Sequence, residues 1–185
     1  MRTTALWTHL WNPRAPAQGL EDFRLEGRRA DAGMVAFDDD GQPYRLTYHL
    51  EYEKGWEPRV FQAAVRDGDG SRSLVLRRDG LHWSDGEGKR LAELSGCLDL
   101  DLWPTPFTNS PSIWRLFLNP GERREIDVVF IEAPRLSVRR MRQAYTRLDE
   151  YRYLYQNLDG GGFEAVLTLD EDGLVNRYPM FFQRV

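Results

Sequence analysis

The stretch YRLTYHLEY, residues 44–52, decides the fold. Tyr44, Leu46, Tyr48, Leu50 and Tyr52 fall on one side of an extended chain, and Arg45, Thr47, His49 and Glu51 fall on the other. Strict alternation of this kind marks a strand with one face buried and one face wet. The same period recurs further along. Phe163, Ala165, Leu167 and Leu169 alternate with Glu164, Val166, Thr168 and Asp170, and residues 97–102, CLDLDL, alternate as well. Residues 126–131, IDVVFI, are apolar on both faces and predict a central, covered strand. In residues 136–148 a helical spacing (Val138, Met141, Tyr145, Leu148) competes with a strand spacing (Leu136, Val138, Arg140), and we read a strand entering a bend.

The punctuation agrees with strands. Asp40-Gly41, Asp79-Gly80 and Asp172-Gly173 each separate two strand-like runs, and residues 67–70, DGDG, form a fourth turn. Asp-Gly supplies the positive backbone angles that tight hairpin turns need. Short strands joined by tight turns predict an all-β domain, antiparallel and curling into an open or half β-barrel. A faint likeness between residues 37–44 and 169–173 suggests a duplicated half. A loop is expected over residues 12–19, and no linker divides the chain, so residues 1–185 form a single domain.

Composition sets the outer bounds. With 41% hydrophobic and 29% charged residues, the 185-residue chain has the balance of a globular domain with a sizeable core. Its net charge of -4 lacks the basic field that phosphate contacts exploit, so nucleic acid is not expected as a partner. The cluster Arg139, Arg140 and Arg142 is soon followed by Asp149 and Glu150. Cys97 is the single cysteine, so no internal disulfide is possible. The first residues lack the apolar core of a signal peptide, and no run approaches the ~20 apolar residues of a transmembrane segment. Both points favour the cytoplasm, and oligomeric state is left open.

Several residue groups invite chemistry. Asp99-Leu100-Asp101 places two carboxylates on one strand face, a spacing suited to a divalent metal or to acid–base work, or simply to a polar strand face. The acidic segments 38–41 and 170–173 lack the ligand spacing of a calcium loop and read as hairpin turns. His9, His49 and His82 show no metal-ligand spacing and read as surface or hydrogen-bonded histidines, so neither metal nor cofactor is expected. No nucleophile elbow, phosphate loop or dinucleotide fingerprint is present. Binding is therefore expected rather than catalysis.

The densest stretch is residues 94–118, LSGCLDLDLWPTPFTNSPSIWRLFL. Pro104, Pro106 and Pro111 stiffen it, and Thr105, Thr108 and Asn109 offer donors and acceptors from that frame. This stretch resembles the signature of the bacterial putative glycolipid-binding family, formerly a domain of unknown function. The matching pieces are Gly96-Cys97-Leu98-Asp99-Leu100-Asp101, then Thr105-Pro106-Phe107-Thr108-Asn109, then Arg115-Leu116, which the family pattern presents as a strand. Gly19-Leu20-Glu21, Trp56 with Arg59, Leu81-His82-Trp83, Gln143-Ala144-Tyr145, Tyr151-Arg152-Tyr153, and Asp172-Gly173-Leu174-Val175 with Tyr178-Pro179 extend the resemblance over nearly the whole chain. Trp114 stands where the family usually carries an Arg, which points to a less anionic ligand.

The resemblance implies a half-barrel similar in outline to bacterial lipoprotein carriers, holding a lipid-like or glycolipid small molecule in an apolar concavity. Trp56, Trp83, Tyr48 and Trp114 are expected in its walls. Asp99, Asp101, Thr105, Thr108, Asn109 and Arg115 are expected at its polar end. Two alternatives stand beside this reading. One is an enzyme on the same scaffold using Asp99 and Asp101, and the other is a protein–protein interaction module.

Overall fold

The computed structural model describes residues 2–10 and 14–185. Of the loop expected over residues 12–19, positions 12 and 13 lie outside the described residues, while 14–18 are irregular. The strands are β1 (Arg2–His9), β2 (Gly19–Glu26), β3 (Arg29–Phe37), β4 (Pro43–Tyr52), β5 (Pro58–Asp67), β6 (Gly70–Asp79), β7 (His82–Asp85) and β8 (Arg90–Leu91) in the first half. The second half holds β9 (Asp99–Trp103), helix α1 (Asn109–Leu116), β10 (Arg123–Glu132), β11 (Ser137–Arg147), β12 (Arg152–Asn157), β13 (Glu164–Leu169), β14 (Val175–Tyr178) and β15 (Phe182–Arg184). All strands belong to one sheet, in the order β8 through β1, then β15 through β9. Every neighbouring pair is antiparallel except β9 and β10, which run parallel. The chain termini meet in mid-sheet, where Trp7, Thr8 and His9 pair with Arg184, Gln183 and Phe182. The two sheet ends are β8 and β9, which are neighbours in sequence, so the sheet curls as an open barrel and does not close.

The period-two reading holds in β4, where Tyr44, Leu46, Tyr48, Leu50 and Tyr52 are all buried. The ambiguous segment after residue 136 is strand β11, paired with β10 along its length. Two apolar clusters result. The first gathers the inner faces of β1–β7, including Trp7, Phe23, Leu46, Phe61, Leu76 and Trp83, together with Leu100, Leu102 and Phe107. The second gathers Tyr145, Tyr153, Tyr155, Leu167, Tyr178 and Phe182 around Ile113 of α1. Full burial of one such side chain contributes ~1.5–3 kcal/mol, so the alternation itself selects the register. The buried indoles keep their N–H groups satisfied: Trp7 donates to the Val175 carbonyl at 2.7 Å and Trp83 to that of Cys97 at 2.9 Å.

One expectation is corrected. Arg115-Leu116, matched to a strand in the family pattern, lies in α1. Pro111 is the third residue of the helix, where its missing N–H leaves no bond unmade. The helix ends at Phe117, whose left-handed backbone (φ 46°) returns its N–H to the Ile113 carbonyl at 3.2 Å. The same segment alters the reading of β9. Leu100 and Leu102 join the first cluster, while Asp99 and Asp101 face the other way, toward α1 and β11. Both faces of β9 are thus covered, and neither carboxylate lies on an open polar strand face.

Candidate functional site

Within the curl of the second half lies a cavity of about 270 Å³. Trp103, Phe130, Tyr155, Phe163, Tyr178 and Phe181 supply aromatic walls, and Met141 adds a thioether. Asp39, Asp101, Thr105, Asn109, Glu132 and Asn157 supply polar atoms. The aromatic rings hold one another: Phe163 and Phe181 lie 5.3 Å apart, and so do Tyr178 and Phe181. Leu10 donates its N–H to the Phe181 carbonyl at 2.8 Å, and both Leu10 and Met180 are exposed. Leu10 and Met180 are thus exposed apolar neighbours of the Phe181 wall.

Asp101 is the polar centre of this cavity. It accepts from the Thr108 hydroxyl at 2.9 Å and from the Gln143 amide at 2.6 Å. Burial pushes its carboxyl above the ordinary range, and the two neutral donors offset that shift only in part. Asp99 sits two residues away in a different setting. The Arg115 guanidinium grips it with Nε at 2.9 Å and Nη2 at 2.5 Å, and both side chains are largely withdrawn from solvent. Burial raises the Asp99 carboxyl too, and Arg115 pulls it back only in part. Asn109 is fixed at both ends of its amide, accepting from the Tyr145 hydroxyl at 2.8 Å and donating to the Pro106 carbonyl at 3.2 Å.

Behind Thr105 lies a buried cluster that the sequence reading missed. Thr105 donates to Glu21 Oε1 at 2.8 Å and accepts from the Phe107 N–H at 3.1 Å. Tyr48 donates to the same Glu21 oxygen at 2.7 Å. His9 Nε2 stands 3.8 Å from Glu21 Oε2. His9 is buried and, among the described residues, neither ring nitrogen has a hydrogen-bond partner, so the expectation of a surface or hydrogen-bonded histidine is corrected there. The available signal was register. Glu21 shares its strand face with Phe23 and Leu25, and His9 shares its face with Trp7.

The structure brings Asp101, Thr105 and Asn109 to the cavity, with Thr108 directly behind Asp101. It places Asp99 and Arg115 together as an ion pair outside the cavity lining. Trp83 and Tyr48 are packed in the first cluster. Trp56 and Trp114 pack against each other in a tilted arrangement with ring centroids 4.4 Å apart, and the Arg28 guanidinium lies 4.6 Å from the Trp56 ring. A wider groove, about 640 Å³, crosses the outer face of β2–β6 between residues such as Arg24, Asp31, Thr47 and Gln62. None of residues 94–118 lines it, so the smaller, aromatic-walled cavity is the candidate site. Burial pushes the Cys97 thiol up to about 11, which keeps it protonated. Among the described residues, no group of three or more His, Cys, Asp or Glu is placed to hold a metal ion. Among the same residues, no helix is long and apolar enough to cross a membrane.

Comparison with known proteins adds two findings. A family model described as "Putative glycolipid-binding" matches residues 8–184. A crystal structure of a DUF1089 family protein from Pseudomonas aeruginosa is 48% identical, covers 95% of this chain and 96% of its own, and superposes with a TM-score of 0.89. No curated protein matches.

Proposed function

The chain belongs to the putative glycolipid-binding family, and from that premise we propose that it binds a glycolipid-like amphiphile with the head group in the cavity between α1 and β9–β14. The observation that carries this reading is the cavity's make-up: aromatic walls around a few fixed polar groups, the general pattern of small-molecule sites. Its 270 Å³ falls just below the ~300–1,000 Å³ of pockets that enclose a whole drug-sized ligand. A head group fits inside, and the acyl chain extends past Leu10 and Met180. Binding is favoured over turnover because both Asp99 oxygens are held by Arg115 and both Asp101 oxygens by Thr108 and Gln143. Asp101, Thr105 and Asn109 are the head-group residues in this reading.

Trp103 lies in the cavity wall, so its emission reports occupancy. Titrating the chain with octyl glucoside below its micelle threshold should give a saturable change in tryptophan fluorescence. Trp103→Phe should remove that signal while calorimetry still detects binding. A linear, unsaturable response in both measurements would reject the proposal.

A further inference from the structure

The polar groups of the cavity are unevenly supplied with donors and acceptors. Asp39, Asp101 and Glu132 contribute carboxylates, and no Lys, Arg or His is among the described lining residues. The neutral groups add few donors. The Thr105 proton is aimed at Glu21, away from the cavity, and the Asn109 amide is bonded at both ends. The hydroxyls of Tyr155 and Tyr178 remain protonated, since burial raises both. Those two hydroxyls and the Asn157 amide are donors set against three carboxylates, so a ligand that matches this lining donates more than it accepts.

Asp101 sharpens the requirement. Asp99, on the same strand face, has a guanidinium partner, whereas Asp101 is held only by a hydroxyl and an amide. It is withdrawn from bulk water yet keeps surface that opens onto the cavity. A carboxylate so placed gains most from a cation. Arg139 also acts on Asp101 and offsets its charge in part; it lies on the Phe130 ring at 4.7 Å and reaches Met141 Sδ at 3.5 Å, at the wall rather than among the lining residues. The rings of Tyr155, Tyr178 and Phe181 line the same cavity as Asp101, and aromatic rings attract organic cations. An ammonium group donates and never accepts, and it is attracted to carboxylate and ring alike. A phosphate or carboxylate would meet acceptors and like charge.

We propose that the head group taken by this cavity carries an alkylammonium, as in an amino sugar, rather than a phosphate or carboxylate. This rests on the reading of the cavity as the head-group site.

Calorimetric titration of the full chain with octylammonium, octyl glucoside and octyl phosphate, each below its micelle threshold, tests it. All three share one tail, so differences report the head. Octylammonium should bind about tenfold or more tighter than octyl glucoside, and octyl phosphate should not saturate. Asp101→Asn should erase the ammonium advantage, bringing octylammonium and octyl glucoside to within a few-fold of each other. Because the amide introduced by that change must also satisfy Thr108 and Gln143, the second variant is Glu132→Gln, at an exposed position, which should reduce the advantage without touching the fold. Methylammonium separates the sources of the charge. Affinity orders of magnitude below that of octylammonium assigns the site to a lipid-borne amine, and comparable affinity assigns it to a soluble one. Glucoside binding as tight as octylammonium, or saturable phosphate binding, overturns the inference while leaving the cavity a head-group site. No saturable binding by any octyl compound overturns both.

Discussion

Replacing Arg115 with Met removes the charge that balances Asp99 while keeping most of the aliphatic stem. The carboxylate left behind is almost wholly buried, at 2% side-chain exposure, and it loses two bonds of 2.9 and 2.5 Å at once. Two unit charges about 4 Å apart attract by ~4 kcal/mol near a protein surface. Breaking a buried pair from one side costs ~3–5 kcal/mol, because the remaining ion keeps its desolvation penalty. Arg115→Met should therefore lower stability by ~3–5 kcal/mol in urea unfolding at neutral pH. The loss should shrink in acid, since Asp99 is already raised by burial and can protonate. The double variant Asp99→Asn/Arg115→Met should be less damaging than Arg115→Met alone, since no charge is stranded. Head-group preference should not change, because neither residue lines the cavity. A loss below about 1 kcal/mol, or a double variant equal to the sum of its singles, would refute this account of the pair.

Other consequences follow from the packing and from titration. Trp83→Ala should cost ~3–5 kcal/mol in urea unfolding, through lost burial and the Cys97 carbonyl left without its donor; a loss under about 1 kcal/mol would mean the ring is not in the core. Gly173→Ala should destabilise by ~1–3 kcal/mol in the same assay, since φ is +76° there and an added Cβ would lie 2.3 Å from Trp114 Nε1; an unchanged unfolding midpoint would contradict the packing of α1 on the β13–β14 turn. The raised carboxyl of Asp101 means the folded chain binds a proton there more readily than the unfolded chain does. Its contribution to stability is thus fully present below the ordinary carboxylate pKa and is lost as pH rises through the raised value. Asp101→Asn removes that compensation, so its melting temperature should fall more steeply than the parent's between neutral pH and about pH 4; parallel profiles would argue against the raised carboxyl.

The strands were legible because β4 and its neighbours bury one face only, so residue type alternates with direction. The turns were legible because Gly41, Gly80 and Gly173 hold positive φ between paired strands. What stayed hidden depends on contacts across the sheet. The helical stretch from Asn109 to Leu116 is short and opens with Asn, Ser and Pro, so no helical period stands out. Asp99 and Asp101 looked like a polar face because the partners that cover them, Arg115 and Gln143, come from α1 and β11. Trp56 and Trp83 looked like pocket walls because aromatic residues in a half-barrel serve core and cavity alike. The aromatic walls that do line the cavity come from β9, β10, β12, β14 and two loops, and nothing local to any one of them marks it.

The position of a bound amphiphile decides whether the cavity holds the head group. An isotope-labelled sample titrated with octyl glucoside below its micelle threshold would show which backbone amides shift. Saturable shifts are expected at Asp101, Thr105, Tyr155, Asn157 and Tyr178, with Thr47, Gln62 and Ser73 on the outer groove unmoved. Shifts confined to the outer face of β2–β6, or clustered at Trp56 and Trp114 with the cavity silent, would contradict a head group in the cavity.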